Sequence, residues 1–197
     1  MLLYCATTNP GKLREFRHAA GVLADGRFAI DALPGIRGIT APEETGATFE
    51  DNAILKARYY SRCTSELVFA DDSGLVVDAL NGAPGVHSAR YSGANATNES
   101  NNELLLRNLQ GATNRSARFV CVIALAKAGE VIGAFHGAVE GEIIHELRGS
   151  GGFGYDPLFF HPPFGCTFGE ATEEQKLSAS HRGEALRKML AFLIESP

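Results

Sequence analysis

Apolar residues along this chain recur with two periods, and the changes of period mark out its elements. Leu2-Leu3-Tyr4-Cys5-Ala6 predicts a short buried strand, ended by the polar turn Thr7-Thr8-Asn9-Pro10-Gly11-Lys12. Leu13, Phe16, Ala20 and Leu23 then follow at helical spacing, so a helix is expected over 12–23. Phe28 to Ala32 predicts a second strand, and the Gly-, Pro- and Glu-rich stretch up to Thr48 predicts loop. Thr48-Phe49-Glu50-Asp51 has the form of a capping box ahead of Ala53, Leu55, Ala57 and Tyr60, which predicts a helix over 49–62. Strands are expected at Leu67 to Asp71 and Leu75 to Leu80, with a sharp change of direction at Gly74 between them.

The segment 81–98 is rich in turn formers, and Leu104, Leu105 and Leu109 give the apolar face of a helix from Glu99 to Leu109. Two β-rich runs, 118–125 and 131–139, read as a hairpin through Lys127-Ala128-Gly129-Glu130, with a short third strand at 142–144. A glycine-rich stretch holding Phe153, Tyr155 and Asp156 precedes a strand at Leu158 to Phe160. Thr172 to Lys176 predicts a short helical turn. Ser180 then caps a final helix over 181–195, whose stripe is Leu186, Leu190, Leu193 and Ile194.

Composition narrows the class. The 197 residues, 45% hydrophobic and 21% charged, suit a single soluble domain able to bury a sizeable core. The apolar runs are too short for a membrane span, and the N-terminus has no signal-peptide pattern. A net charge of −5 argues against a nucleic-acid partner, although it leaves room for a small anion in a locally basic place. Cys5, Cys63, Cys121 and Cys166 are scattered without a CxxC pair, as expected of free thiols in a reducing cytoplasm.

Three stretches carry candidate chemistry, each with an ordinary alternative. The turn at 7–12 can offer phosphate a helix N-terminus and the Lys12 charge, or it can be only an N-cap by Thr8 or Asn9. Ala70-Asp71-Asp72-Ser73-Gly74 supplies oxygens of the kind Mg2+ takes, or it is a turn between hairpin strands. Successive side chains of a regular strand point to opposite faces, so Asp71 and Asp72 cannot share one cleft unless the chain bends. Gly149 to Pro157 reads as a binding loop with rings available for stacking, the alternative being a connector. Together these parts suit a nucleoside triphosphate, with the reaction left open.

The motifs also occur in a familiar order. Thr7-x-Asn9-x-x-Lys12, Glu43-Glu44-Thr45-Gly46, Thr48-Phe49-x-x-Asn52-Ala53 with Lys56, and Ala-Asp-Asp-Ser-Gly-Leu at 70–75 come first. Gly-Ala-Pro-Gly-Val and Ser-Ala-Arg-Tyr at 82–91, Gly-Gly-Phe-Gly-Tyr-Asp-Pro at 151–157, and Lys176 with Ser-His-Arg-Gly at 180–183 follow. The chain resembles the inosine/xanthosine triphosphate (dITP/XTP) pyrophosphatases over essentially its whole length. Asp51 in place of a Glu, and the spacer Leu177-Ser178-Ala179, are slight departures that remove no needed group.

The resemblance implies Mg2+-dependent hydrolysis of ITP, dITP and XTP to the monophosphate and pyrophosphate, cleansing the nucleotide pool. It implies an α/β fold, with a long mixed twisted sheet, flanking helices and two lobes of a single domain (1–197) around a central cleft, assembled as a cytoplasmic homodimer. By the family pattern Asp72 is general base and metal ligand, with Glu43 the second ligand and Glu44 its rival. Thr7, Asn9, Lys12 and Lys56 hold the triphosphate, Thr8, Pro10, Gly11 and Ser73 contact the substrate, and Phe153, Gly154, Tyr155, Asp156, Lys176, His181 and Arg182 form the base pocket. Two rivals stand beside this reading: a pyrophosphatase for damaged pyrimidine or standard triphosphates, and a nucleotide-binding module without turnover.

Overall fold

The computed structural model describes residues 1–24 and 26–195. The chain divides into two compact units, the first of 1–72, 121–137 and 180–197, the second of 73–120 and 138–179. Seven strands form one mixed sheet in the order β2-β1-β3-β4-β5-β6-β7. The fold is α/β with flanking helices, as expected from sequence.

In the first unit β1 (Leu2–Cys5) lies parallel to both β2 (Ala29–Ala32) and β3 (Val68–Val77), with Cys5 opposite Ala32 on one side and Phe69 on the other. α1 (Pro10–Leu23) begins two residues earlier than its apolar spacing indicates, because Pro10 suits the first helical position and Asn9 caps it. α2 (Phe49–Tyr60) starts with the expected capping box, in which Thr48 and Asp51 satisfy each other's backbone amides. Ala53 and Ala57 of α2 pack against Val68 and Ala70 of β3 and against Val122, Ala124 and Ala126. Phe16 of α1 meets Phe69 edge-on, with ring centroids 5.3 Å apart. The helices therefore cover opposite faces of β3, α2 over its even-numbered residues and α1 over the odd.

The strand itself corrects one expectation. β3 runs unbroken from Val68 to Val77, where two strands and a sharp turn at Gly74 were expected. Gly74 is needed for space instead: a Cβ there would collide with Ser88 Oγ and the Gly85 carbonyl. Beyond Val77 the expected strand gives way to a 3-10 turn over Asp78–Leu80.

β4 (Ser116–Lys127) and β5 (Glu130–Ile143) take the place of the expected hairpin and are longer than it. The separate strand expected at 142–144 is the end of β5, continued because Ile143 pairs with Phe159 of β6 (Phe159–His161). β7 (Cys166–Thr167) closes the order. The core of the second unit gathers Leu75, Val77, Leu105, Leu109, Phe119, Phe159 and Phe168, with α3 (Asn98–Asn108) supplying Leu105. α4 (Glu173–Ala179) and α5 (His181–Glu195) finish the chain, and Ser180 Oγ accepts from the Gly183 amide as a cap of α5.

Candidate active site

Two groups of polar side chains stand out, one in each unit. In the first unit the regular strand sends Asp71 and Asp72 to opposite faces, and each meets the helix that covers its face. Lys12, one turn before Phe16 on α1, donates to Asp71 Oδ2 at 2.8 Å. Lys56, beside Ala57 on α2, donates to Asp72 Oδ1 at 2.9 Å and to Glu44 Oε1 at 2.8 Å. Asn52, one turn earlier on α2 and wholly buried, donates to Asp72 Oδ2 at 3.3 Å. Its Oδ1 accepts from the Gly46 amide at 2.8 Å, which ties the acidic turn to the same helix.

The surroundings push the two carboxylates in opposite directions. Burial alone would raise Asp71, but Lys12, Arg182 and Lys56 outweigh it and hold its pKa at about 2. Asp72 is raised, because burial together with the nearby Glu44 charge prevails over Lys56 and Lys12. Burial would lower Lys56, yet Asp71, Asp72 and Glu44 raise it, so it stays charged. Lys12 therefore binds the neighbour of Asp72, although its charge reaches Asp72 as well.

The turn before α1 caps the helix itself. Asn9 Oδ1 accepts from the amides of Gly11 (2.8 Å) and Lys12 (3.2 Å), and Thr7 Oγ1 accepts from the Asn9 amide. Thr8, Asn9 and Pro10 are exposed and Thr7 half-buried. Of the two neighbouring glutamates, Glu44 shares Lys56 with Asp72. Glu43 is exposed and lines, with Pro42, Asp51, Ile54 and Arg58, a pocket of about 460 Å³. His181 and Arg182, also in this unit, are buried at the start of α5, and Arg182 Nη1 donates to Glu15 Oε2 at 2.9 Å.

In the second unit the glycine-rich loop folds around Asp156. Its buried Oδ2 accepts from the Phe153 amide at 2.8 Å and from Lys176 Nζ at 2.7 Å. Lys176 of α4 is itself buried and stands 5.1 Å from the Phe153 ring centroid, a cation–π contact. Gly152, at φ +71°, permits this closure, since a Cβ there would strike the Asp156 carboxylate. Asn102 of α3 donates to the Gly154 carbonyl at 3.1 Å, and the buried Tyr155 hydroxyl donates to the Ser88 carbonyl at 2.8 Å. Ser73, half-buried, is the first residue of this unit.

The structure thus gathers Thr7, Asn9, Lys12, Lys56, Asp72 and Arg182 in the first unit, and Phe153, Gly154, Tyr155, Asp156 and Lys176 in the second. Asn52 and Glu15 were missed as candidates. The spacing of Asn52 four residues before Lys56, on one helical face and within the 48–53 motif, is legible in the sequence, and Glu15, three residues after Lys12, carries the same kind of signal. Asp72 and Glu44 present the hard carboxylate oxygens that Mg2+ prefers. Among the described residues no cluster of three or more His, Cys, Asp or Glu forms. Two carboxylates fit an ion that completes its shell with water and substrate phosphates.

Fold and site together define an α/β protein with buried, lysine-gripped carboxylates on a central strand, suited to a polyanion and a hard cation. The Ham1 family model matches residues 3–192, and the chain belongs to the Ham1 family. A relative from Acidobacterium capsulatum named dITP/XTP pyrophosphatase is 48% identical, over 98% of this chain and 98% of its own. One of the same name from Exiguobacterium is 47% identical over 98% and 97%. Among solved structures, a HAM1 protein from Coxiella burnetii superposes with a TM-score of 0.87 at 39% identity, and the Staphylococcus aureus Ham1 protein with 0.86 at 39%, each over the full length of both chains. Among the described residues no helix is long and apolar enough to cross a membrane.

Proposed function

We propose that this protein hydrolyses the non-standard purine triphosphates ITP, dITP and XTP to monophosphate and pyrophosphate with Mg2+, and so cleanses the nucleotide pool of the cytoplasm as a homodimer. That it is an enzyme, a nucleoside triphosphate pyrophosphatase hydrolysing an acid anhydride bond, rests on its family. The finer reading rests above all on Asp72, a buried carboxylate of raised pKa held by Lys56 and Asn52.

The reaction needs an in-line water, a stabilised leaving group and little covalent help. Asp72 accepts the proton of the attacking water as its oxygen bonds to the α-phosphorus, and the bond to the β-phosphate's bridging oxygen breaks. The raised pKa brings Asp72 closer to the range of a working base than an ordinary aspartate. Lys12, Lys56 and the amides at the start of α1 stabilise the departing pyrophosphate, whose oxygens replace Asn9 Oδ1 as the acceptor at those amides. Asp72 and Glu44, with Glu43 as the alternative, would hold Mg2+. When bound, the ion supplies Lewis acidity and neutralises phosphate charge. Thr7, Thr8, Pro10 and Gly11 of the first unit are assigned to the triphosphate, and Ser73 is assigned a substrate contact.

Base choice is assigned to donors. Lys176 of the second unit only donates, so it favours the O6 acceptor of hypoxanthine and xanthine over the amino group of adenine, and Arg182 of the first unit is a donor of the same kind. Phe153 offers a ring face, Asp156 fixes Lys176, and His181 stands next to Arg182. Pyrophosphate release from a nucleotide panel with Mg2+ tests the reading. ITP and XTP are expected to exceed ATP, GTP, CTP and TTP in kcat/KM by about 100-fold or more. Equal rates on ATP and ITP would refute it.

A further inference from the structure

Helix α3 carries two adjacent buried asparagines, Asn101 and Asn102, each about 5% exposed. Asn102, Leu105 and Leu109 are spaced i, i+3, i+7, so Asn102 occupies the place where the buried stripe of α3 calls for an apolar side chain. A buried asparagine is costly unless its amide is fully used. Asn101 meets that condition: its Oδ1 accepts from the Ser92 amide at 2.8 Å, and its Nδ2 faces the carbonyls of Ser88 and Ala89 at 3.4 and 3.3 Å. Asn102 does not. Its Nδ2 donates to the Gly154 carbonyl, while its buried Oδ1 has no hydrogen-bond partner. Packing and stability alone would favour leucine here. What the asparagine adds is one directed bond to the middle of the loop between Phe153 and Asp156.

We propose that Asn102 is a positioning residue for nucleobase selection, acting through the Gly154 carbonyl on the orientation of the Phe153 ring and the Asp156 carboxylate. This rests on the reading that the loop takes the purine of a nucleoside triphosphate. Elsewhere the loop is fixed by Phe153 N and Lys176 Nζ on Asp156, by the Tyr155 hydroxyl on Ser88, and by backbone bonds that join Gly151 and Asp156 to Gly169. Gly154 lies between them with φ at +65°, where a peptide without a side chain is free to reorient unless its carbonyl is held. Asn102 is the side chain that holds it. Ser88 also accepts from the Leu75 amide through its Oγ, so Tyr155 ties the far side of the loop to β3. Losing the Asn102 bond therefore tilts the loop rather than detaching it.

The test uses Asn102→Leu, which completes the apolar stripe, and Asn102→Asp, which keeps the volume and removes the donor. Both are expected to keep kcat for ITP within about twofold, to raise KM roughly tenfold, and to narrow the ITP:GTP ratio of kcat/KM roughly tenfold, the scale of one lost hydrogen bond. The Tm of Asn102→Leu is expected within about 3 °C of wild type. Amide exchange over 151–156 is expected to accelerate about tenfold in both variants, with or without nucleotide. A fall in kcat/KM equal for ITP and GTP, accompanied by a lower Tm, would show a merely structural residue and overturn the proposal, as would unchanged kinetics. If the wild-type protein released no pyrophosphate from ITP, the proposed function would fail by itself. Exchange would then decide the positioning claim, and unchanged exchange would overturn it.

Discussion

Asp71 and Asp72 leave β3 on opposite faces and meet different company. On the α1 face, Asp71 is wholly enclosed, bonded to Lys12 and close to Arg182, and its pKa is driven down to about 2. On the α2 face, Asp72 shares Lys56 with a second carboxylate, Glu44, and its pKa rises through burial first and the Glu44 charge second. Both carboxylates are buried and both bind a lysine, so neither burial nor pairing separates them. The ratio of charges does. One carboxylate with two or three cations becomes a fixed counter-ion, whereas two carboxylates around one lysine leave negative charge in excess. Excess negative charge is what a divalent cation needs and what makes a carboxylate more basic. Asp71 is thus the counter-ion of the basic side chains, and the proposed reaction gives the working role to Asp72.

The sharpest way to break that distinction is to neutralise each carboxylate in turn. Asp72→Asn keeps the shape and the bond from Lys56 but cannot accept a proton. Turnover of ITP is expected to fall about 1,000-fold, while nucleotide affinity measured by calorimetry changes less than about threefold. A loss of turnover below tenfold would take the base role from Asp72. Asp71→Asn should act elsewhere, because it leaves the Lys12 ammonium without its counter-ion. A loss of about 3 kcal/mol of stability is expected in urea unfolding, the scale for removing one partner of a buried pair.

The pH dependence of stability sharpens the same comparison, and the two residues carry opposite signs. A depressed folded pKa means that the stabilisation by Asp71 is fully present above its ordinary value of 3.8 and lost as pH falls towards 2. A raised folded pKa means that Asp72 favours folding while protonated, and that this contribution is lost as pH rises from 3.8 through the raised value. Asp71→Asn should therefore flatten the acid limb between pH 4 and 2 by ~2 kcal/mol. Asp72→Asn should leave that limb in place and remove a decline above pH 4. Equal changes in both variants would mean that the two faces do not differ electrostatically.

How far the site could be read in advance differs between its parts for physical reasons. Helix positions were legible because caps and apolar spacing are local: Thr48 with Asp51, and Ser180 ahead of α5, stand where the pattern placed them. The unbroken course of β3 was not legible. Asp-Asp-Ser-Gly is turn-like by itself, and only the lysines of two distant helices make two buried carboxylates tolerable within a strand. Gly74 was given the wrong reason for the same cause, since the atoms that crowd it belong to residues 85 and 88. The tie of Asn102 to Gly154 is a long-range bond between a buried amide and backbone, invisible to any local pattern, and that of Asn52 to Gly46 spans six residues of a turn with no regular period.

The smallest effect concerns which glutamate completes the α2 face. Sequence favours Glu43 and leaves Glu44 as its rival, yet Glu44 is the one that shares Lys56 with Asp72. Asn52 gives a reason: by accepting from the Gly46 amide it holds the end of the acidic turn against α2, and Glu44 is the nearer of the two glutamates to that hold in sequence. If charge excess around Lys56 adds to burial in raising Asp72 and attracts the ion, removing one unit of it should weaken both. Glu44→Gln is expected to reduce Mn2+ affinity, followed by the paramagnetic signal of the free ion, about tenfold, since one carboxylate ligand is lost. Glu43→Gln, exposed beside Arg58, is expected to change it less than about twofold, as a screened surface charge does. The reverse ranking would return the second ligand position to Glu43 and remove the charge-excess explanation for the difference between the two faces of β3.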